Sequence, residues 1–242
     1  NNFAASASVF RMQGGTLKVE RSTMDENLTI EACGGEPEAS VANLNGTKAS
    51  FENSTFATNA SADGSIIVLN NAELDLTNNT ISGNLPIKES AASALIRTDG
   101  TSKMSLFANL VVGNVGLAHQ GTASIARSEY NVFMPESGWN NSATDMTMEL
   151  SELEEVLDGV SNGKSFVPRV RDNAGHTPTI AVINSGFSGG QILSVPRSLR
   201  AVDTDQRGFN RKDTSCVGAF EFPTLMNYYV KQEPLGDGTG RS

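Results

Sequence analysis

Four charged side chains that could do chemistry lie within nine residues of one another: Asp203, Asp205, Arg207 and Arg211. A calcium ion needs several converging oxygen ligands, and an Asp-x-Asp pair could supply two of them. The planar guanidinium of Arg207 follows Asp205 closely, however, and could pair with one carboxylate instead. We favour the ion pair and predict no cofactor, with calcium as the alternative.

Carboxylates are also dense at 34–40 and 149–158. A glycosidase needs two carboxyl groups a few ångströms apart, one of them with a raised pKa, and no motif here indicates such a pair. Leu150, Leu153 and Val156 recur at helical spacing, which predicts a short amphipathic helix with a solvated acidic face. We therefore assign no catalytic residue.

The histidines, the tryptophan and the cysteines have structural interpretations. His119 and His176 lie in unrelated sequence contexts and are expected to be loop or capping residues. Trp139 could stack on a sugar ring, but we expect it to pack over one end of the fold. Cys33 and Cys216 lack the close spacing of a metal site. We expect two buried free thiols, and a disulfide between Cys33 and Cys216 is the alternative.

Composition excludes several classes of protein. The net charge is −9, and the basic residues, such as Lys18, Lys48 and Lys103, are dispersed, so nucleic-acid binding is not expected. No apolar run approaches the roughly 20 residues of a transmembrane helix. Frequent Gly, Asn, Ser and Thr favour short strands and turns over helices. The first residues resemble the interior of a domain, so we expect part of a longer protein.

A repeat organises the first half of the chain. Four segments share the pattern hydrophobic-x-x-Asn, with their Asn residues 32, 25 and 30 positions apart. The positions seven and five residues before each hydrophobic anchor are apolar, as in a strand with one buried face. The anchors are Met24, Phe56, Ile81 and Val111, and the strand positions are Leu17/Val19, Ala49/Phe51, Leu74/Leu76 and Met104/Leu106.

Turns and a second apolar alternation complete each unit. A turn precedes each strand at 14–15, 45–46, 70–71 and 99–100, and a further short apolar strand precedes the turn. Stacked units would bury their apolar positions together in a coil of parallel strands. The repeated Asn is expected to bond to the Asn of the next coil and to adopt the left-handed backbone of a sharp turn. A fifth, looser unit at 117–130 lacks that Asn.

These units resemble the repeats of right-handed parallel β-helix proteins, in particular the polymorphic outer-membrane-protein type of bacterial surfaces. The second half is similar to the closing region of secreted bacterial β-helix proteins, which contains Asp-Asn-Gly-Gly-x-Thr-Pro-Thr, then Thr-Asp-Gln-Arg-Gly, then Asp-Ile-Gly-Ala-Phe-Glu. This chain has DNAGHTPT from Asp172, TDQRG from Thr204 and CVGAFE from Cys216. Ala174, His176 and the pair Cys216-Val217 depart from that pattern.

The resemblance implies an all-β fold: a right-handed parallel β-helix, a pectin-lyase-like solenoid, with an irregular C-terminal capping region. We expect stacked rungs at 1–137 and a closing region at 138–222 that packs against the last coil. A linker and the first strand of a following module are expected at 223–242. The residues expected to pack the closing region are Ile180, Val182, Ile192, Leu193, Val217 and Phe220.

The resemblance also implies a function. It predicts a non-catalytic stalk or adhesin segment of a large secreted or cell-surface bacterial protein. Expected partners are neighbouring β-helix modules of the same parent chain and polysaccharide or host-surface glycan. The alternative is a polysaccharide lyase or glycoside hydrolase, which rests on fold analogy because no site motif supports it.

Overall fold

Strands and turns make up almost all of the fold. The computed structural model describes residues 3–4, 9–30, 39–62, 64–87, 93–139, 142–163, 165–184, 186–187, 191–192, 194–212 and 214–222. Cys33, Leu193 and the expected module start at 223–242 lie outside the described residues. Helical structure there is limited to 3₁₀ turns at Pro135–Ser137, Leu150–Glu152 and Arg197–Leu199 and to α1 (Leu153–Val156).

Twenty of the strands pair in parallel to form four sheets, A to D. Sheet A contains β1 (Phe3–Ala4), β5 (Leu28–Thr29), β9 (Ala60–Ser61) and β13 (Leu85–Pro86). Sheet B contains β2 (Phe10–Gln13), β6 (Ala42–Asn45), β10 (Ile67–Asn70), β14 (Ala94–Asp99) and β17 (Leu117–Gly121). Sheet C contains β3 (Thr16–Glu20), β7 (Lys48–Glu52), β11 (Glu73–Thr77), β15 (Lys103–Phe107) and β18 (Ser124–Glu129). Sheet D contains β4 (Thr23–Asp25), β8 (Thr55–Ala57), β12 (Thr80–Ser82), β16 (Leu110–Val112), β19 (Val132–Phe133) and β20 (Met146–Thr147).

The pairing follows the register predicted from the repeats. Each repeat contributes one strand to sheet B, then one to C and one to D, and equivalent strands of successive repeats are neighbours. In sheet D, Phe56 is paired with both Met24 and Ile81. In sheet C, Phe51 is paired with both Val19 and Leu76. The all-β fold and the parallel stacking of the repeats are therefore confirmed.

One hydrophobic core lies between the sheets of the repeats. Phe51 and Phe56 are fully buried in it and meet edge to face, with ring centroids 5.3 Å apart. Leu76 is also fully buried, and burial of such a side chain contributes roughly 1.5–3 kcal/mol. Because like residues lie above one another in every repeat, each one is buried by its two neighbours.

The repeated Asn residues form a continuous ladder, as predicted. The side-chain amide nitrogen of each one donates to the amide oxygen of the next: Asn27 to Asn59 at 2.8 Å, Asn59 to Asn84 at 2.9 Å, and Asn84 to Asn114 at 2.8 Å. The same nitrogen also donates to a backbone carbonyl of the neighbouring repeat, as Asn84 does to Phe56 at 3.1 Å. Buried amides are thus paired along the whole stack.

The predicted backbone conformation of the ladder residues is wrong by one position. The left-handed residue is the one before each Asn: Glu26, Thr58, Gly83 and Gly113, with φ between 48° and 71°. At that position the chain turns sharply, and the side-chain amide of the following Asn enters the ladder. A Cβ on Gly83 would lie 2.3 Å from Cδ of Pro168, so glycine there also permits a close contact.

A second ladder, which the sequence analysis did not identify, lies between sheets C and D. Its buried polar side chains are Ser54, Asn79, Asn109 and Asn131, of which the first three lie five residues before Asn59, Asn84 and Asn114 of the first ladder. Asn79 donates to Asn109 at 3.1 Å, and Asn109 donates to Asn131 at 2.9 Å. Asp145 accepts from Asn131 at 3.0 Å and ends the ladder, because a carboxylate cannot donate further.

The closing region consists of short antiparallel pairs. These are β21 (Gly159–Ser161) with β22 (Phe166–Pro168), β23 (Val170–Arg171) with β24 (Thr179–Ile180), β25 (Gly186–Phe187) with β26 (Gln191–Ile192), and β27 (Ser194–Pro196) with β28 (Thr214–Cys216). The predicted amphipathic helix is confirmed in its second half, where α1 buries Leu153 and Val156.

The closing region covers the outer face of sheet D along several repeats, and its contacts are not confined to the last one as expected. Thr23 in the first repeat donates to the carbonyl of Pro178, and Thr80 in the third accepts from the backbone of Ala219 at 3.0 Å. A second core forms there, because sheet D carries apolar residues on both faces. Its members include Ala57, Leu110, Val112, Phe166, Ile180, Val182, Val217 and Phe220.

Candidate functional site

The charged cluster near the end of the chain forms an ion pair. Arg207 Nη2 lies 2.7 Å from Asp205 Oδ2, and Arg207 Nε donates to the same oxygen at 2.8 Å. Asp205 Oδ1 accepts the backbone N–H groups of Arg207 and Phe209 at 2.9 and 3.0 Å. Asp205 is fully buried, while Asp203 pairs at the surface with Arg200. Both oxygens of Asp205 are occupied by donors from the chain, so the ion pair is the arrangement observed.

Arg211, the other arginine of the cluster, is buried beside Glu221. The two side chains are 3.3 Å apart, and every N–H group of the guanidinium has an acceptor. Burial lowers the pKa of Arg211 and raises the pKa of Glu221, while the charge of each partner opposes the shift of the other. The acceptors are Thr204 O, Cys216 O, Glu221 Oε2, Asn53 Oδ1 and Gly218 O.

Gln206, which the sequence analysis did not single out, joins the closing region to the repeats. Its side-chain oxygen accepts from the hydroxyl of Thr55 at 2.6 Å, and its nitrogen donates to Thr23 at 2.8 Å and to Thr177 at 2.9 Å. The central residues of the Thr-Asp-Gln-Arg-Gly motif therefore bond either within the closing region or to sheet D. We name Asp205, Gln206, Arg207, Arg211 and Glu221 the closing network.

Cys216 and the potential metal ligands of the described residues are the remaining candidates for a reactive site. Cys216 is a free, buried thiol, and burial raises its pKa to about 11, so little thiolate is present at neutral pH. Its possible disulfide partner Cys33 lies outside the described residues. Within the described part of the chain, no group of three or more His, Cys, Asp or Glu side chains is placed to hold a metal ion.

The outer face of sheet C carries the dispersed basic residues. Glu73 lies between Lys48 and Lys103 on neighbouring strands, at 3.7 and 3.8 Å. Lys18 pairs with Glu20 on the first strand of the sheet. These ion pairs are exposed, and exposed pairs contribute at most about 1 kcal/mol each. Each of these three lysines therefore lies beside a glutamate on this face.

Two carboxylates are neighbours on that face. Glu20 and Glu52 are register partners on β3 and β7, and adjacent strands lie about 4.8 Å apart. Burial raises the pKa of Glu52, and the charge of Glu20 raises it further, while Lys18 and Arg21 oppose the shift. Two neighbouring carboxyl groups, one of them with a raised pKa, are the minimum needed for acid-assisted hydrolysis. The predicted register, which aligns Val19 with Phe51, also aligns Glu20 with Glu52, but the burial of Glu52 leaves no signal in the sequence.

Trp139 lies against one end of the interior core, as predicted. Its ring stacks on Phe133, with centroids 4.9 Å apart and an interplanar angle of 17°. Its indole nitrogen donates to Ser128 Oγ at 3.0 Å. His119 meets the same indole edge to face and lies 3.0 Å from Thr98 Oγ1. His119 lies in strand β17 and is therefore not a loop residue, and the desolvation of its half-buried imidazole lowers the pKa of His119.

Comparisons with protein-family models, with curated proteins and with solved structures found no match. Among the described residues, no helix has the length and apolar character that a membrane-spanning helix needs.

Proposed function

We propose that the chain is a non-catalytic, rigid module of a right-handed parallel β-helix protein on a bacterial surface or secreted from it. The observation that supports this most is the pair of polar ladders that run through the repeats beside the apolar core. The closing region adds contacts to several repeats at once. A module built in this way resists separation of its repeats, which suits a stalk or adhesin segment.

A stalk must bear load without losing repeats one at a time. Pulling on the two ends of the protein in a force spectrometer should therefore give one cooperative unfolding event for the repeats and the closing region. Asn84→Ala, which interrupts the first ladder, should lower the unfolding force, and Asn70→Ala at an exposed turn should not. Stepwise peeling of single repeats at low force would overturn the proposal.

Glycan recognition is part of the same proposal, with neighbouring modules of the parent chain as the other partners. Sheet C offers hydrogen-bonding and charged side chains on an open face, and stacked parallel strands repeat them at regular spacing. Plant, microbial and host polysaccharides would be tested for binding to immobilised protein. We expect at least one polysaccharide to be retained by the wild type and not by the double variant Lys48→Ala/Lys103→Ala. Equal retention by the double variant would place binding elsewhere on the protein.

The alternative is a β-helix polysaccharide lyase or glycoside hydrolase, and the Glu20–Glu52 pair favours it. Incubation with the same polysaccharides, with and without calcium, would be followed through new reducing ends and unsaturated products. The non-catalytic proposal expects no turnover. The lyase or hydrolase alternative would be established if the wild type depolymerised a polysaccharide, Glu52→Gln lost that activity and Glu73→Gln kept it.

A further inference from the structure

The first repeat has an open strand edge. Among the described residues, β2, β3 and β4 each have a partner strand on one side only. Arg21 N donates to Glu52 O and Lys48 N donates to Gly15 O, both at 3.0 Å. Alternate residues of a parallel strand bond to the same neighbour. The N–H groups of the intervening residues therefore point away from β7, and these residues are Thr16, Lys18 and Glu20.

The interior core is less covered at the same end. Three inward residues of the first repeat are partly exposed, whereas their register partners in the second repeat are at most 1 % exposed. The first set is Phe10, Met12 and Leu17, and the second is Ala42, Leu44 and Ala49. The unpaired edges of the strands and the partly exposed apolar core of the first repeat therefore lie at the same end of the stack.

Sheet A already extends one strand beyond that edge. β1 pairs with β5 on the side away from β9, in the position that a preceding repeat would fill. By sequence, Asn2 immediately precedes β1, just as Asn27, Asn59 and Asn84 immediately precede β5, β9 and β13. One strand position beyond β5 is therefore occupied in sheet A.

At the opposite end, β17, β18 and β20 are likewise the outermost strands of their sheets among the described residues, but the core is covered. Trp139 covers the core there. The second ladder ends at Asp145, which also accepts from the backbone N–H of Asn131 at 2.8 Å. The two ends therefore differ in how the apolar core is covered and in whether a ladder is terminated, although both present edge strands.

We propose that the edge formed by β2, β3 and β4 is a docking surface for one further repeat. That repeat supplies three parallel strands with apolar inward residues. The proposal rests on the proposed β-helix function and specifies the neighbour that such a module takes at this end. Stacking covers Phe10, Met12 and Leu17 and provides acceptors for the outward N–H groups of β3.

The test places residues 42–58 directly before Asn2, so that the second repeat's β6, β7 and β8 are offered to the edge. Backbone hydrogen exchange is then measured by NMR for the whole chain with and without this graft. The exchange of Thr16, Lys18 and Glu20 is expected to slow about tenfold or more. A control graft carries Asn at the positions copied from Phe51 and Phe56 and should give no protection. Unchanged exchange with the intact graft would overturn the proposal.

Lys18→Pro supplies a second, independent readout. The substitution removes one outward N–H, and the Lys18 side chain is 64 % exposed, so the ungrafted protein should keep its Tm. In the grafted protein, the same substitution should abolish the protection of Thr16 and Glu20. Ser50→Pro, in the inner strand β7, should lower the Tm of both proteins. Fast exchange at Phe51 and Leu76 in the ungrafted chain would contradict the stacked fold itself. Slow exchange there, with no added protection of β3 by the graft, would contradict only the docking proposal.

Discussion

Arg211 Nη2 donates a hydrogen bond of 2.7 Å to Oδ1 of Asn53, a residue 158 positions earlier in the chain. Asn53 returns the contact, because its Nδ2 donates to the carbonyl of Thr204 at 2.9 Å. One buried arginine thus connects the turn that follows β7 to the closing network. The closing region is therefore an integral part of the repeats' packing.

Arg211→Met should destabilise the protein by about 3–5 kcal/mol, because it leaves the Glu221 carboxylate buried without its cation. Urea denaturation measures this loss. Arg169→Met is the matched control, since Arg169 is half-exposed beside Asp158, and it should cost less than about 1 kcal/mol. Equal losses in the two variants would mean that the buried pair has no special role.

Asn84→Ala should destabilise the protein by roughly 2–4 kcal/mol, since it removes the acceptor of the Asn59 backbone N–H and the donor to the Phe56 carbonyl inside the buried ladder. The measurement is again the free energy of unfolding in urea. Asn70→Ala, at the exposed end of β10, provides the comparison and should change it by less than about 0.5 kcal/mol. If Asn84→Ala changed the free energy of unfolding as little as Asn70→Ala, the stabilising role assigned to the amide ladder would be wrong.

The repeat register could be predicted from sequence because one buried face leaves a period-2 pattern in every unit. Pairing of Phe56 with Met24 and Ile81 follows directly from aligning the hydrophobic-x-x-Asn segments. The second ladder has a weaker signal, because Ser54 occupies the position that Asn79 and Asn109 fill in later repeats.

The position of the closing region could not be predicted, because the pattern analysis followed only inward residues. Ala57 and Val112 face the other way and are also buried, which shows that sheet D is covered on both sides. The Glu20–Glu52 pairing follows from the predicted register, but the burial that raises the pKa of Glu52 could not be read from the sequence. Two side-chain partners of Gln206, Thr23 and Thr55, lie in sheet D and are too distant in sequence for a local motif to reveal.

Gly83→Ala should destabilise the protein more than Gly163→Ala does. Both glycines are left-handed, with φ of 71° and 82°, so both substitutions share the cost of a Cβ in that conformation. A Cβ at position 83 would also meet Pro168 at 2.3 Å, whereas nothing lies within 4 Å at position 163. Thermal unfolding should show an additional loss of about 1–3 kcal/mol for Gly83→Ala. Equal losses would mean that the closing region shifts freely away from β12.

Acidification should weaken the end of the fold that His119 occupies. Burial lowers the folded-state pKa of His119 below the ordinary 6.5, so below about pH 6.5 the unfolded chain binds a proton that the folded chain does not. Stability is therefore lost as the pH falls through that window and is unaffected above it. Glu221 has the opposite sign, because burial raises its pKa and favours the folded, protonated form at low pH.

The contribution of His119 is isolated by comparing unfolding free energies of the wild type and His119→Gln between pH 8 and pH 5. The wild type should lose more stability than the variant below about pH 6.5, and the two curves should run parallel above it. Parallel curves over the whole range would show that the imidazole is not desolvated by Trp139 and Thr98 in solution.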